Sequence, residues 1–162
     1  MHLQTIITTW ICLVAVVAAA PISAKSRPSS TANPLAQWIG DMYNALNDMR
    51  VTAVTSTPLR LRSTLNSFAQ SQAISMCNTN SAALNDIQLI ASLKNNAGIK
   101  TEYAHMMVAR NQDSVDKVIA TWASAKPGKD SPFSSILYPN YVYVGMGVCG
   151  NDWVVVLTSE FL

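Results

Sequence analysis

Two stretches near the carboxyl end, Tyr141 to Cys149 and Asp152 to Phe161, are apolar on both of the faces that a strand presents. Side chains alternate sides along a strand. Here Val142, Val144, Met146 and Val148 alternate with Tyr141, Tyr143 and two glycines rather than with charged residues. Such strands are stable only where both faces are covered. Gly150-Asn151 between them can supply the positive φ angles of a tight hairpin. The chain therefore calls for an α/β fold: a three-layer α-β-α sandwich around a small, mainly antiparallel sheet.

Spacing supplies the covering helices. Asn33-Pro34 marks a helix start, with Asn as cap and Pro in the first turn. Leu35, Trp38, Ile39, Met42, Leu46 and Met49 then recur at three- and four-residue steps to near Arg50. Thr57-Pro58-Leu59 interrupts the pattern. A second helix is predicted from about Ser63, with Leu65, Phe68, Ala69, Ala73 and Met76 on one side and Cys77 near its end. Leu84, Ile87, Ile90, Ala91 and Lys94 suggest a third, stopping before Gly98. Thr101 to Arg110 reads either as a strand or as an irregular cleft wall. Asp113 suits the cap of a further helix whose Val115, Val118, Ile119 and Trp122 face inward. Ala125 to Asn140, with three prolines and one glycine, reads as mostly loop.

Ahead of this domain, Ile11 to Ala20 is an apolar run of signal-peptide length, with a cleavage site at Ile22-Ser23-Ala24. It is shorter than the roughly 18 to 20 apolar residues that cross a bilayer. The expected organisation is a signal peptide over 1–24, a flexible Ser- and Pro-rich leader over 25–33, and one domain over 34–162. Secretion without a stable membrane anchor follows, an uncleaved anchor being the alternative.

All 11 Lys and Arg and all 9 Asp and Glu fall after residue 24, and they are scattered. A net charge of +2 with no basic stripe does not suggest nucleic-acid binding, and no nucleic-acid partner is expected, because no stripe exists to release the counterions of phosphates. Cys12 leaves with the signal peptide, so Cys77 and Cys149 remain. In an oxidising compartment they are expected to form a disulfide, the alternative being two buried free thiols.

The order of helices, the helix ending in Trp122 and the final antiparallel strands resemble the CAP superfamily of cysteine-rich secretory, antigen 5 and pathogenesis-related proteins. The resemblance runs from about Leu35 to Phe161. Its amino-terminal signals are Asn47 to Arg50, Pro58-Leu59, and Phe68-Ala69-Gln70 with Ala73. The carboxy-terminal ones are Val108-Ala109, Ile136-Leu137, Pro139-Asn140-Tyr141 and Val144-Gly145-Met146-Gly147-Val148.

That family lines a central cleft with His and Glu, and the resemblance implies that this chain has lost them. Met106 stands at the first cleft Glu position, and Ala125 falls three residues after Trp122, where the second belongs. The cleft His positions fall after Cys77 and near Pro132, and neither stretch contains His. A shifted alignment would bring in Glu102, but with His105 that is still too few ligands for a zinc shell. A Ser-based triad would need His105 as its base. Neither metal nor cofactor is expected, and a binding protein is favoured over a metal-dependent hydrolase.

The resemblance also implies ligands. In fungal members the loop comparable to Phe133, Tyr138 and Tyr141 contributes to sterol binding, although Tyr141 could equally anchor the loop to the core. Members can hold a fatty acid between helices, which draws attention to Trp38, Met42 and Met49. A secreted protein that binds a small lipid or sterol is the expectation. The alternative is a secreted protein that engages a host or other extracellular protein.

Overall fold

The computed structural model describes residues 34–53, 57–125, 128 and 131–162. The expected signal peptide, leader and Asn33 cap lie outside the described residues. No helix among the described residues is long and apolar enough to cross a membrane.

Helix α1 (Pro34–Thr52) begins at the predicted proline and buries Met42 and Leu46 completely, while Trp38, Ile39 and Met49 pack at the margin. A two-residue strand β1 (Arg60–Leu61) leads into α2 (Ser63–Thr79), which buries the expected Leu65, Phe68, Ala69, Ala73 and Met76. Helix α3 (Asp86–Ala97) starts on a capping box between Asn85 and Gln88 and ends at Gly98, whose φ of 66° takes the left-handed form that favours glycine.

The stripe expected on α3 is corrected. Leu89 and Leu93, four residues apart, are its buried residues, and Ile87 is 82% exposed. Of the other expected residues, Leu84 and Ile90 pack partly buried at the margin of the same core, while Ala91 and Lys94 are exposed, because the Leu89–Leu93 line faces the sheet directly and the remaining positions fall beside it or away from it.

Of the two readings of Thr101 to Arg110, the strand holds, as β2 (Ala104–Ala109). Helix α4 (Val115–Ala123) buries Val118 and Trp122, but its cap is Ser114, whose hydroxyl accepts from the Lys117 N–H. Asp113 stands one residue too early to cap and instead pairs with the Lys117 ammonium at 2.7 Å.

The segment read as loop contains α5 (Pro132–Leu137). Its prolines punctuate a helix rather than exclude one. Ser131 caps it by accepting from the Ser134 N–H at 3.1 Å, and Pro132 occupies the first turn, where its missing N–H costs nothing.

Strands β3 (Tyr143–Cys149) and β4 (Asp152–Thr158) form the hairpin, and Gly150 alone of its two loop residues takes a positive φ, 57°. The sheet runs β1-β3-β4-β2, with β1 parallel to β3 and the other pairs antiparallel. Alternation divides it into two cores. Met107, Ala109, Val144, Met146, Val155 and Leu157 meet α1, α4 and α5 on one face. Ala104, Met106, Tyr143, Val154 and Val156 meet α2 and α3 on the other. This is the three-layer arrangement that two-faced apolar strands demand.

Helix α2 lies directly on β3. A Cβ added at Gly145 or Gly147 would fall 2.3 to 2.4 Å from the backbone of Leu65, Ala69 or Gln70. The close approach lets side chains of α2 complete the strand edge that short β1 leaves open. Asn66 accepts from the Met146 N–H at 2.9 Å, and Gln70 bonds both the N–H and the C=O of Val148. An uncovered edge would otherwise offer these groups to another chain. Cys149, at the end of β3, is disulfide-bonded to Cys77 of α2 across 72 residues, with a Cα–Cα distance of 6.0 Å.

At the other face, Asn47 and Arg50 of α1 fasten two loops. Asn47 accepts from the Leu59 N–H at 2.7 Å. The fully buried Arg50 guanidinium donates to the carbonyls of Thr57 at 2.7 Å, Ile136 at 2.5 Å, Tyr138 at 3.1 Å and Tyr141 at 3.0 Å. Burial pulls its pKa below the usual arginine value, which lies so far above neutrality that the group stays a cation.

Three outcomes check these contacts by denaturant unfolding. Gly147→Ala should cost about 3 kcal/mol because the clash is with helix backbone, whereas Gly40→Ala, with nothing within 4 Å, should be neutral or stabilise by up to about 1 kcal/mol. Arg50→Met should cost about 3 to 5 kcal/mol by orphaning buried carbonyls, and Arg50→Lys should recover only part, since an ammonium cannot reproduce the fork. Replacing Cys77 and Cys149 with serine should cost about 4 kcal/mol of loop-closure entropy.

Candidate functional site

His105 lies on β2 and, by strand alternation, shares the face of Met107 and Ala109. Its Nδ1 lies 2.9 Å from Oδ1 of Asp86, the first residue of α3. A carboxylate can only accept there, so Nδ1 carries the proton and the ring orientation is set. Asp86 sits where the helix dipole favours negative charge.

Around this pair opens a cleft of about 570 Å³, whose lining includes Tyr103, Tyr138, Tyr141, Ser134 and Ser135. The three tyrosines form a folded wall. Tyr103 and Tyr138 have ring centroids 6.4 Å apart at 74°, and Tyr138 and Tyr141 are 5.2 Å apart at 63°. Burial, helped by the Asp86 charge and by Tyr138, holds the Tyr141 hydroxyl far above its ordinary pKa. The Tyr103 hydroxyl is raised by a hydrogen bond and the charge of Glu102.

The cleft residues implied by family resemblance are dispersed. Met106 is 6% exposed and packs in the core beneath α2 and α3, on the face opposite His105. One step along a strand reverses the face, so His105 and not Met106 looks into the cleft. The Ala125 N–H donates to the Trp122 carbonyl as α4 unwinds, and Pro132 opens α5. Neither is among the described cleft-lining residues. Glu102 is exposed and reaches the site only through Tyr103.

Among the described residues no group of three or more His, Cys, Asp or Glu side chains converges on one point. His105 and Asp86 are two donors, short of the four that close a zinc shell, so the described residues do not fit the metal. Asp86, Tyr103, Ser134 and Ser135 escaped the sequence reading. The Asn85 cap with Gln88 was a visible signal for where α3 begins, but no spacing marks Asp86 as the partner of a histidine 19 positions later.

The three residues implied in ligand binding do not form one surface. Tyr138 and Tyr141 line the cleft, whereas Phe133 lines a second cavity of about 570 Å³ between α1, α4 and α5. There Met49, Ile119, Ala123, Phe133 and Leu137 make an apolar groove with Asp48 and Thr52 among its lining. Of the α1 stripe, Met49 borders this groove, Met42 is fully buried, and Trp38 packs edge-on against Trp153 at 5.5 Å.

Solved structures share this architecture at low identity. A cysteine-rich secretory protein from Staphylococcus aureus superposes with a TM-score of 0.67 at 18% identity, covering 81% of this chain and 40% of that one. An extracellular protein with an SCP domain from Bacillus anthracis gives 0.64 at 11%, covering 75% and 40%. An outer surface protein of Borrelia burgdorferi gives 0.60 at 14%, covering 76% and 93%. The chain thus spans about two-fifths of the length of the first two. A search of curated protein sequences returns no match. The profile of the cysteine-rich secretory protein family, CAP, matches residues 43–160, and with helices and sheet in the arrangement described the chain belongs to that family.

Proposed function

We propose that this is a secreted, non-catalytic CAP protein that binds a small neutral apolar ligand of the sterol class in the groove between α1, α4 and α5. The observation that carries the reading is the lining of that groove. Its walls are aliphatic and aromatic, its volume of about 570 Å³ falls within the range of ordinary ligand sites, and its one described charged side chain is a carboxylate, Asp48. A fatty acid would bring its own carboxylate against Asp48, with no described lysine or arginine in the lining to neutralise it. A sterol brings a hydroxyl, which a carboxylate can accept from.

Secretion is supported by the apolar run from Ile11 to Ala20, by the disulfide, and by the likeness to a secretory protein of Staphylococcus and an extracellular protein of Bacillus. Absence of turnover is supported by the wiring of the cleft. His105 is bonded to Asp86, and among the described residues no hydrogen bond joins it to a serine; Ser134 Oγ instead accepts from the Gly128 N–H at 3.3 Å and from Ser131 Oγ at 3.0 Å. A serine nucleophile needs a base within hydrogen-bond reach.

Delipidated protein titrated with fluorescent cholesterol should show saturable binding, with palmitate a weaker competitor. Phe133→Ala should weaken it by roughly tenfold or more, from the loss of about 1.5 to 3 kcal/mol of buried apolar contact. Tyr138→Ala, on the other side of α5, should leave it unchanged. Lack of saturable uptake, or equal sensitivity to both substitutions, counts against this site.

A further inference from the structure

The cleft beside His105 has a different chemistry from the groove. Its floor and one wall are three tyrosines, its fixed charge among the described residues is the Asp86 carboxylate, and no described lysine or arginine lines it. Rings turned 74° and 63° from their neighbours present π-faces as well as edges to whatever enters. Tyr103 and Tyr138 keep 39% and 40% of their surface exposed, so those rings are open to a ligand rather than consumed by the core. Asp86 uses one oxygen on His105 and remains 55% exposed. The Glu102 carboxylate next to Tyr103 adds a second negative charge at the rim.

An aromatic wall backed by a carboxylate attracts cations through the negative face of each ring and repels anions. A compact, hydrated ammonium such as that of lysine would lose strong water contacts on entering. A trimethylammonium group is bulky, weakly hydrated and apolar on its surface, so it gains both from ring contact and from the charge. We propose that this cleft binds a small organic cation of the choline type, its trimethylammonium group against Tyr103, Tyr138 and Tyr141 and its charge facing Asp86. The site is separate from the sterol groove and stands or falls independently of it.

The test is a titration of the full chain with choline and with tetramethylammonium, followed by calorimetry and by shifts of the tyrosine ring resonances. The control is 3,3-dimethylbutan-1-ol, the uncharged carbon analogue of choline. Both cations should saturate the site, and the neutral analogue should bind at least about tenfold more weakly. Tyr138→Ala should weaken choline by about tenfold, Tyr138→Phe should stay within about twofold because the ring is kept, and Asp86→Asn should weaken it severalfold. Unchanged melting temperatures separate these effects from misfolding, and Phe133→Ala should leave choline binding intact. Phosphocholine and a trimethyl-lysine peptide distinguish the source of the cation. Equal binding of the neutral analogue, indifference to Tyr138→Ala, or capture of the peptide without choline would overturn the proposal.

Discussion

One buried cation organises the face of the protein that carries both cavities. Arg50 is fully enclosed, and among the described residues it donates to no carboxylate; its guanidinium is satisfied by four backbone carbonyls, three of them in the short span from Ile136 to Tyr141. These include the trailing carbonyls of α5, which a helix end leaves unpaired. A planar fork of five donors suits several acceptors at once. Because removing the guanidinium would strand buried acceptors, the loop has little freedom to settle elsewhere. The position of α5, and of Tyr138 and Tyr141 after it, is thus decided inside α1.

That placement gives α5 its double role. Phe133 and Leu137, one helical turn apart, turn toward α1 and α4 and close the apolar groove. Ser134, Ser135 and Tyr138 turn toward β2 and α3 and form part of the tyrosine cleft. A six-residue helix separates two cavities of similar volume and different character, one mainly aliphatic with Phe133 and Asp48 in its lining, the other walled by tyrosines beside the Asp86 carboxylate. On the far face the sheet obeys a different constraint. Gly145 and Gly147 let α2 descend until its amide side chains serve as the missing strand, and the Cys77–Cys149 bond fastens the same pair of elements.

Much of the fold was legible in the chain. The stripe of α2 matched residue for residue, and the two-faced apolar strands called correctly for helices on both sides, because burial on a regular element imposes a period that survives in one dimension. The failures share a cause. The stripe of α3 was only partly right, with Leu84 and Ile90 at the core margin and Ile87 outside it, because several apolar residues permit more than one phase and only contact with the sheet selects Leu89 and Leu93. Helix α5 was hidden because proline is both a helix breaker and a helix starter, and which role Pro132 takes depends on the Ser131 cap beside it. Met106 was aligned by its neighbours to a cleft position, yet a single step of strand register turns it into the opposite core.

The amino-acid sequence by itself determined the layered class, the covered sheet, the family-like order of motifs and the scarcity of histidine that disfavours a zinc centre. These properties depend on composition and on local periodicity. Only the tertiary structure decided that His105 meets Asp86, that Tyr103 joins Tyr138 and Tyr141 from a distant segment to form one wall, and that Phe133 belongs to a different cavity from Tyr138. Each of those depends on which side of an element faces which neighbour. That choice is made by packing and buried hydrogen bonds between residues far apart in the chain, where no spacing rule reaches.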